Sequence, residues 1–142
     1  NVHMGQLKRA LKMLKKAKKP LFLAGGGVNI ARANEVFTEV VEKTEVPVVT
    51  TIMGRGAVPT DHPLYIGNLG MHGAYASNMA VSECDLLFSI GTRFNDRITG
   101  KLHEFFGHLH RMHRSFILIS IQHLFQEIFM LMCRSLRMRL RQ

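Results

Sequence analysis

Residues 51–100 read TIMGRGAVPTDHPLYIGNLGMHGAYASNMAVSECDLLFSIGTRFNDRITG, and the order of signals in them decides the fold. A Gly-rich turn at 54–56 opens the stretch. Ile52 to Gly70 reads as irregular, with four Gly and two Pro. Structureless runs of that length are unusual inside a compact domain and are often functional. His72 to Ser82 predicts a helix, with Tyr75, Met79 and Ala76 facing inward. Asp85 to Ile90 is a short apolar run of the buried-strand type, and Gly91 turns the chain after it.

The residues upstream carry the same alternation. Gln6 to Lys19 predicts a helix, because Leu7, Ala10, Leu11 and Leu14 repeat at helical spacing with lysines opposite. Pro20 ends it. Leu21 to Ala24 is a strand, followed at once by Gly25-Gly26-Gly27. Asn29 to Lys43 predicts a second helix, with Ile30, Ala33, Val36, Phe37, Val40 and Val41 on one face. Pro47 to Thr51 is the next strand. Strand, glycine turn, helix, strand is a βαβ unit and implies a parallel sheet. The expected fold is therefore α/β, an open doubly wound parallel sheet. Ligands of such sheets sit at the carboxyl ends of the strands. The turns at 25–27, 54–56 and 91 all follow strands and belong on that edge.

Composition bounds the possibilities. A chain of 142 residues is one domain or a piece of a larger protein, and 46% apolar residues can build a core. Cys84 and Cys133 make no disulfide scaffold and match no metal spacing. Eight histidines form no zinc-binding arrangement. No secretory signal pattern opens the sequence. The apolar run from Phe116 to Cys133 is interrupted by Gln122, His123, Gln126 and Glu127, unlike a membrane span. The formal charge of +9 is uneven, with seven Lys/Arg from Lys8 to Lys19 and six Arg from Arg111 to Arg141. That split invites a reading as a basic module that binds nucleic acid or anionic surfaces. A solvated helix face plus an abnormal tail is the plainer account, and nucleic acid is not the expected partner.

Three segments carry candidate chemistry, each with a plainer alternative. Gly25-Gly26-Gly27 lacks the full dinucleotide spacing, yet it can bring backbone N–H groups against a phosphate; it can equally be a tight turn. Leu69-Gly70-Met71-His72-Gly73 can pack on a planar ring, or His72 can cap a helix. In Gly91-Thr92-Arg93-Phe94-Asn95-Asp96-Arg97, two Arg flanking Asn and Asp suit phosphate, ribose or adenine. They also suit a surface salt-bridged turn. Cys84 reads as a buried structural thiol.

Taken together, these segments resemble one family. The central domain of the acetohydroxyacid synthase (acetolactate synthase) catalytic large subunit reads GGG, then T-(L/I)-M-G-x-G, then HP-L-x-x-G-x-x-G-M-H-G-x-Y-A-x-N-x-A, then CDL, then G-x-R-F-(D/N)-D-R-x-T-G. All occur here in that order, over about residues 5 to 105. The resemblance implies a Rossmann-like central domain of a thiamine-diphosphate enzyme. It implies FAD contacts, without a redox role for the flavin, at Gly25, Gly26, Gly27, Thr51, Ile52, Met53, Leu69, Gly70, Met71, His72, Gly91, Arg93, Asn95 and Arg97. Asn95 replaces the commoner Asp and keeps hydrogen-bonding capacity without the charge. Such an enzyme joins a two-carbon unit from pyruvate to pyruvate or 2-ketobutyrate, in valine, leucine and isoleucine biosynthesis. It is a homodimer or tetramer with a regulatory small subunit, cytoplasmic in bacteria and plastid or mitochondrial in eukaryotes. Its thiamine diphosphate and Mg²⁺ sites lie in flanking domains absent from this sequence, so the chain alone is expected to be inactive and to hold no catalytic or metal-binding residue. Another thiamine-diphosphate carboligase or decarboxylase shares the fold but not this wording.

Beyond Phe105 the family wording stops. Residues 108–142 contain no Gly, Ala, Val, Asp, Pro or Lys. Back-translation from Phe116 with synonymous bases, read two bases later, gives HIDIDTASISRNIHVDVPIVADA. The family continues there with I-I-H-I-D-I-D and V-P-(I/V)-V-x-D-A. The expected organisation is a partial flavin domain over 1–105 and an out-of-frame tail over 106–142. Phe116 to Leu131 is apolar enough to form a helix, and the sheet is expected to lack a central strand.

Overall fold

The computed structural model describes residues 4–70, 75–92 and 115–119. In chain order the elements are α1 (Met4–Lys16), β1 (Pro20–Ala24), α2 (Gly26–Ile30), α3 (Asn34–Thr44), β2 (Val48–Thr50), β3 (Tyr65–Asn68), α4 (Tyr75–Glu83), β4 (Leu86–Ile90) and β5 (Ser115–Ile119). The strands form one sheet in the order β3-β2-β1-β4-β5. Every pair is parallel. β1 lies at the centre, with Pro20–Ala24 in register with Leu86–Ile90. Pro20 can start this strand because the first position can forgo a ladder N–H.

The sheet is covered on both faces, as the expected doubly wound fold requires. Leu21–Ala24 and Leu86–Ile90 are therefore buried without alternation. On one face α1 and α3 set Ala10, Leu11, Leu14, Phe37, Val40 and Val41 against Phe22, Val48, Phe88 and Ile90. Phe22 meets Phe37 and Phe88 edge-on, with ring centroids 5.8 and 5.6 Å apart. On the other face, Val81 and Cys84 pack with Leu21, Leu23, Val49 and Leu87. Cys84 is buried, as expected, and its thiol donates to the Val81 carbonyl. The Asp85 carboxylate ties β4 to the α1–β1 connection, accepting the N–H groups of Lys18 and Lys19 at 2.7 and 3.0 Å.

Four expectations need correction. The helix predicted over Asn29 to Lys43 is two helices, because Arg32 takes a left-handed φ of 51° between them. Ile30 consequently faces solvent, 78% exposed, rather than the core. The run from Ile52 to Gly70 is not wholly irregular, since β3 extends the sheet beyond β2. α4 presents Ser77 and Val81 inward, while Tyr75 is 79% exposed and Ala76 and Met79 also lie outside. A single turn of helix places residues four apart on one face, so the stripe through Val81 includes Ser77 and excludes Tyr75. Finally, Ser115–Ile119 is a strand, not part of a helix, and pairs in parallel with the whole of β4. Phe, Ile and Leu side chains suit a strand as well as a helix, and the open edge of β4 offers ladder partners that no isolated helix has.

Ser77 is fully buried, and its hydroxyl has no hydrogen-bond partner among the described residues. Ser77→Ala removes an unpaired polar group and improves helix propensity, so it should stabilise the fold by about 1 kcal/mol. A chemical-denaturation midpoint that falls instead of rising would contradict this.

Candidate flavin-binding edge

The carboxyl ends of β1, β2 and β4 meet in a knot of backbone. Gly25 N–H donates to the Ile90 carbonyl at 2.8 Å and Gly27 N–H to the Gly91 carbonyl at 2.9 Å. Thr51 N–H donates to the Ala24 carbonyl at 3.0 Å. Thr51 then holds the next turn, since its carbonyl and its Oγ1 each accept the Gly54 N–H at 3.1 Å. The three glycine turns predicted to share this edge do share it.

Their glycines are there because backbone touches backbone. A Cβ on Gly25 would lie 2.4 Å from the Gly91 oxygen, and one on Gly54 would lie 2.1 Å from the Ala24 oxygen. Gly91 also has φ of 63°, which a side chain disfavours. The N–H groups of Gly25 and Gly27 are spent on β4 and its turn. The triple glycine is thus first a packing device, and cannot be a three-donor phosphate cradle. Gly26 is half-buried, and a Cβ there would come 3.0 Å from Met53 Cβ.

Beside this knot the surface turns apolar. Ile52 and Met53 are 72% and 75% exposed at the start of the turn after β2. Asn29 fixes that turn, donating from Nδ2 to the carbonyls of Met53 and Arg55 at 3.0 and 3.1 Å. Asn34 Nδ2 donates to Asn29 Oδ1 at 2.7 Å and to the Gly56 carbonyl at 2.9 Å. Farther along the edge, Leu69 N–H donates to the Thr50 carbonyl at 2.7 Å. Asn68 Oδ1 accepts from the Thr50 and Tyr65 hydroxyls at 2.9 and 3.0 Å, which locks β3 to β2. Gly70 is paired with the Asn78 amide across the start of α4, at 3.4 to 3.5 Å.

Of the predicted contact residues, Gly25, Gly26, Gly27, Thr51, Ile52, Met53, Leu69, Gly70 and Gly91 all fall on this edge or its continuation. Met71, His72, Arg93, Asn95 and Arg97 lie outside the described residues. Asn29, Asn34, Thr50, Tyr65 and Asn68 were not singled out from the sequence. Asn at the start of a helix is the only local signal the first two carry, and it does not reveal a partner some twenty residues away. Among the described residues no three His, Cys, Asp or Glu side chains gather as a metal site.

Residues 7–124 match the family model described as thiamine pyrophosphate enzyme, central domain. The chain belongs to that family. It is 48% identical over 103 residues to the probable acetolactate synthase large subunit of Methanocaldococcus jannaschii, covering 72% of this chain and 17% of that relative. It is 47% identical over 108 residues to the acetolactate synthase isozyme 2 large subunit of Escherichia coli K12, covering 76% and 20%. The large subunit of Cyanidium caldarium is 48% identical over 100 residues, covering 70% and 17%. The chain thus spans at most 20% of the length of these relatives. This thiamine pyrophosphate enzyme central domain has no described helix long and apolar enough to cross a membrane.

The knot gives a sharp test. Gly54→Ala forces a Cβ into the Ala24 carbonyl and should cost more than about 3 kcal/mol, enough to unfold a marginal domain. Gly5→Ala, in α1 with open space around it, should stabilise by about 0.5–1 kcal/mol. Comparable midpoints for the two variants in thermal denaturation would refute the packing role.

Proposed function

We propose that this chain is the flavin-binding middle portion of an acetolactate synthase large subunit, inactive by itself, whose reading frame departs between about Phe105 and His110. The observation that carries the flavin reading is the carboxyl edge. Apolar Ile52 and Met53 stand exposed beside a backbone knot, held in place by Asn29 and Asn34 rather than by packing. Such a ledge fits a planar apolar ring system, and Met53 itself closes over the half-buried Gly26, where an added Cβ would come 3.0 Å from Met53 Cβ. Exposed Ile and Met at the ligand edge of an α/β sheet otherwise cost burial for no gain.

The roles of the chain's own residues follow. Thr51 and Gly54 shape the turn, Asn29 and Asn34 hold it, and Ile52 and Met53 offer the apolar surface. Leu69 and Gly70 bound the edge on the β3 side. The flavin's contribution when bound is to order this edge, not to carry electrons. Decarboxylation of pyruvate and transfer to a second 2-keto acid belong to the thiamine diphosphate and Mg²⁺ of flanking domains. The large-subunit names of the relatives support a small-subunit partner for the parent enzyme.

The relatives match 100 to 108 residues and the family match runs on to residue 124, so the segment read as out of frame, 106–142, begins inside the family match. The strand ladder of β5 survives that change because a ladder is made of backbone. Its side chains and the V-P-(I/V)-V-x-D-A turn do not. FAD should therefore bind this chain weakly, and restoring the frame after Phe105 should tighten binding at least about tenfold, or 1.4 kcal/mol. Fluorescence titration of FAD with both chains measures this. Stoichiometric flavin absorbance in the purified chain as written would sink the proposed deficit, and no binding by either chain would sink the flavin reading.

A further inference from the structure

We infer, resting on the flavin reading of this edge, that Arg32 and Arg55 together hold the ligand's phosphate. The N–H groups of Gly25 and Gly27 are already bonded to the carbonyls of Ile90 and Gly91. A phosphate at the carboxyl edge must therefore be met by other donors. Neither Arg32 nor Arg55 is among the contacts implied by the resemblance, whose arginines are Arg93 and Arg97.

The chain from Asn29 to Asn34 lies along the 53–56 turn. Asn29 Nδ2 donates to the Met53 and Arg55 carbonyls at 3.0 and 3.1 Å, and Asn34 Nδ2 donates to the Gly56 carbonyl at 2.9 Å. Arg32 lies between the two anchoring asparagines, and Arg55 lies between the carbonyls they hold. The two arginines thus stand on facing turns, beside the Met53 ledge. Both are exposed. Among the described residues neither has a carboxylate within ion-pair distance, Glu35 at the start of α3 included. Two guanidinium groups placed this way can fork onto one phosphate.

Arg32 also occupies a position where the backbone favours glycine. Ala33 N–H donates to the Val28 carbonyl and Arg32 N–H to the Asn29 carbonyl, both at 3.1 Å. That pair of bonds closes the C-terminus of α2 with Arg32 at the left-handed place, which glycine takes without strain. Arg32 has φ of 51° there. Its exposed side chain bonds to no described residue, so it adds nothing to the fold that offsets the strain. Strain kept beside a ligand edge marks a side chain kept for binding.

Fluorescence titration of the full chain with FMN and with riboflavin, which differ by one phosphate, tests this. The wild type should bind FMN at least about tenfold more tightly than riboflavin. Arg32→Gly and Arg55→Gln should each bring that ratio within about threefold and leave riboflavin affinity unchanged. Lys8→Gln removes the same charge from an exposed position of α1 and should keep the wild-type ratio. It separates a phosphate site from general attraction to a chain of charge +9. Arg32→Gly should also raise the thermal midpoint, because glycine relieves the left-handed backbone. A wild type without preference, arginine variants that keep it, riboflavin affinity falling in step with FMN, an equal loss in Lys8→Gln, or a lowered Arg32→Gly midpoint would each overturn the proposal. If neither flavin binds, the flavin reading falls and pyrophosphate decides the site. A midpoint raised by pyrophosphate in the wild type but not in the arginine variants upholds it, and an equal or absent shift overturns it.

Discussion

The structure depends on one constraint: three parallel strands must end close enough for their turns to touch backbone to backbone. Gly25 N–H donates to the Ile90 carbonyl at the end of β4 at 2.8 Å, and Gly27 N–H to the Gly91 carbonyl at 2.9 Å. Gly54 sits against the Ala24 carbonyl with no room for a methyl group. Everything on the carboxyl edge follows from that approach. Thr51 can hold the Gly54 turn only because it is anchored to β1, and the Ile52–Met53 ledge is the outer surface of that turn. The same contacts that make the domain foldable build the surface of the carboxyl edge.

The tail shows what a ladder needs. β5 pairs with β4 over five residues, inside the stretch that the family model matches. Parallel pairing draws on N–H and C=O groups common to all residues.

The sites legible in the sequence were those with strong local grammar. Pro20 marked the end of the first helix, Gly-Gly-Gly and Gly91 marked strand ends, and the apolar runs 21–24 and 85–90 marked buried parallel strands. β3 escaped notice because Tyr65-Ile66-Gly67-Asn68 contains a glycine and little apolar continuity. It is held by a partner outside the segment, through Asn68, Thr50 and Tyr65. The break at Arg32 escaped notice because Arg carries no helix-ending signal. Its left-handed backbone is sustained where Asn29 and Asn34 bond each other and the 53–56 turn.

By itself the sequence determined the α/β class, the parallel sheet, the edge where its turns gather and the family wording up to Phe105. Periodicity and punctuation are local properties, and they suffice for these. Tertiary structure decided why the glycines are required, which asparagines hold the ledge, and that Ser115–Ile119 joins the sheet as a strand. It also set Arg32 and Arg55 on facing turns. Each of these depends on groups distant in sequence meeting in space, which no local pattern encodes.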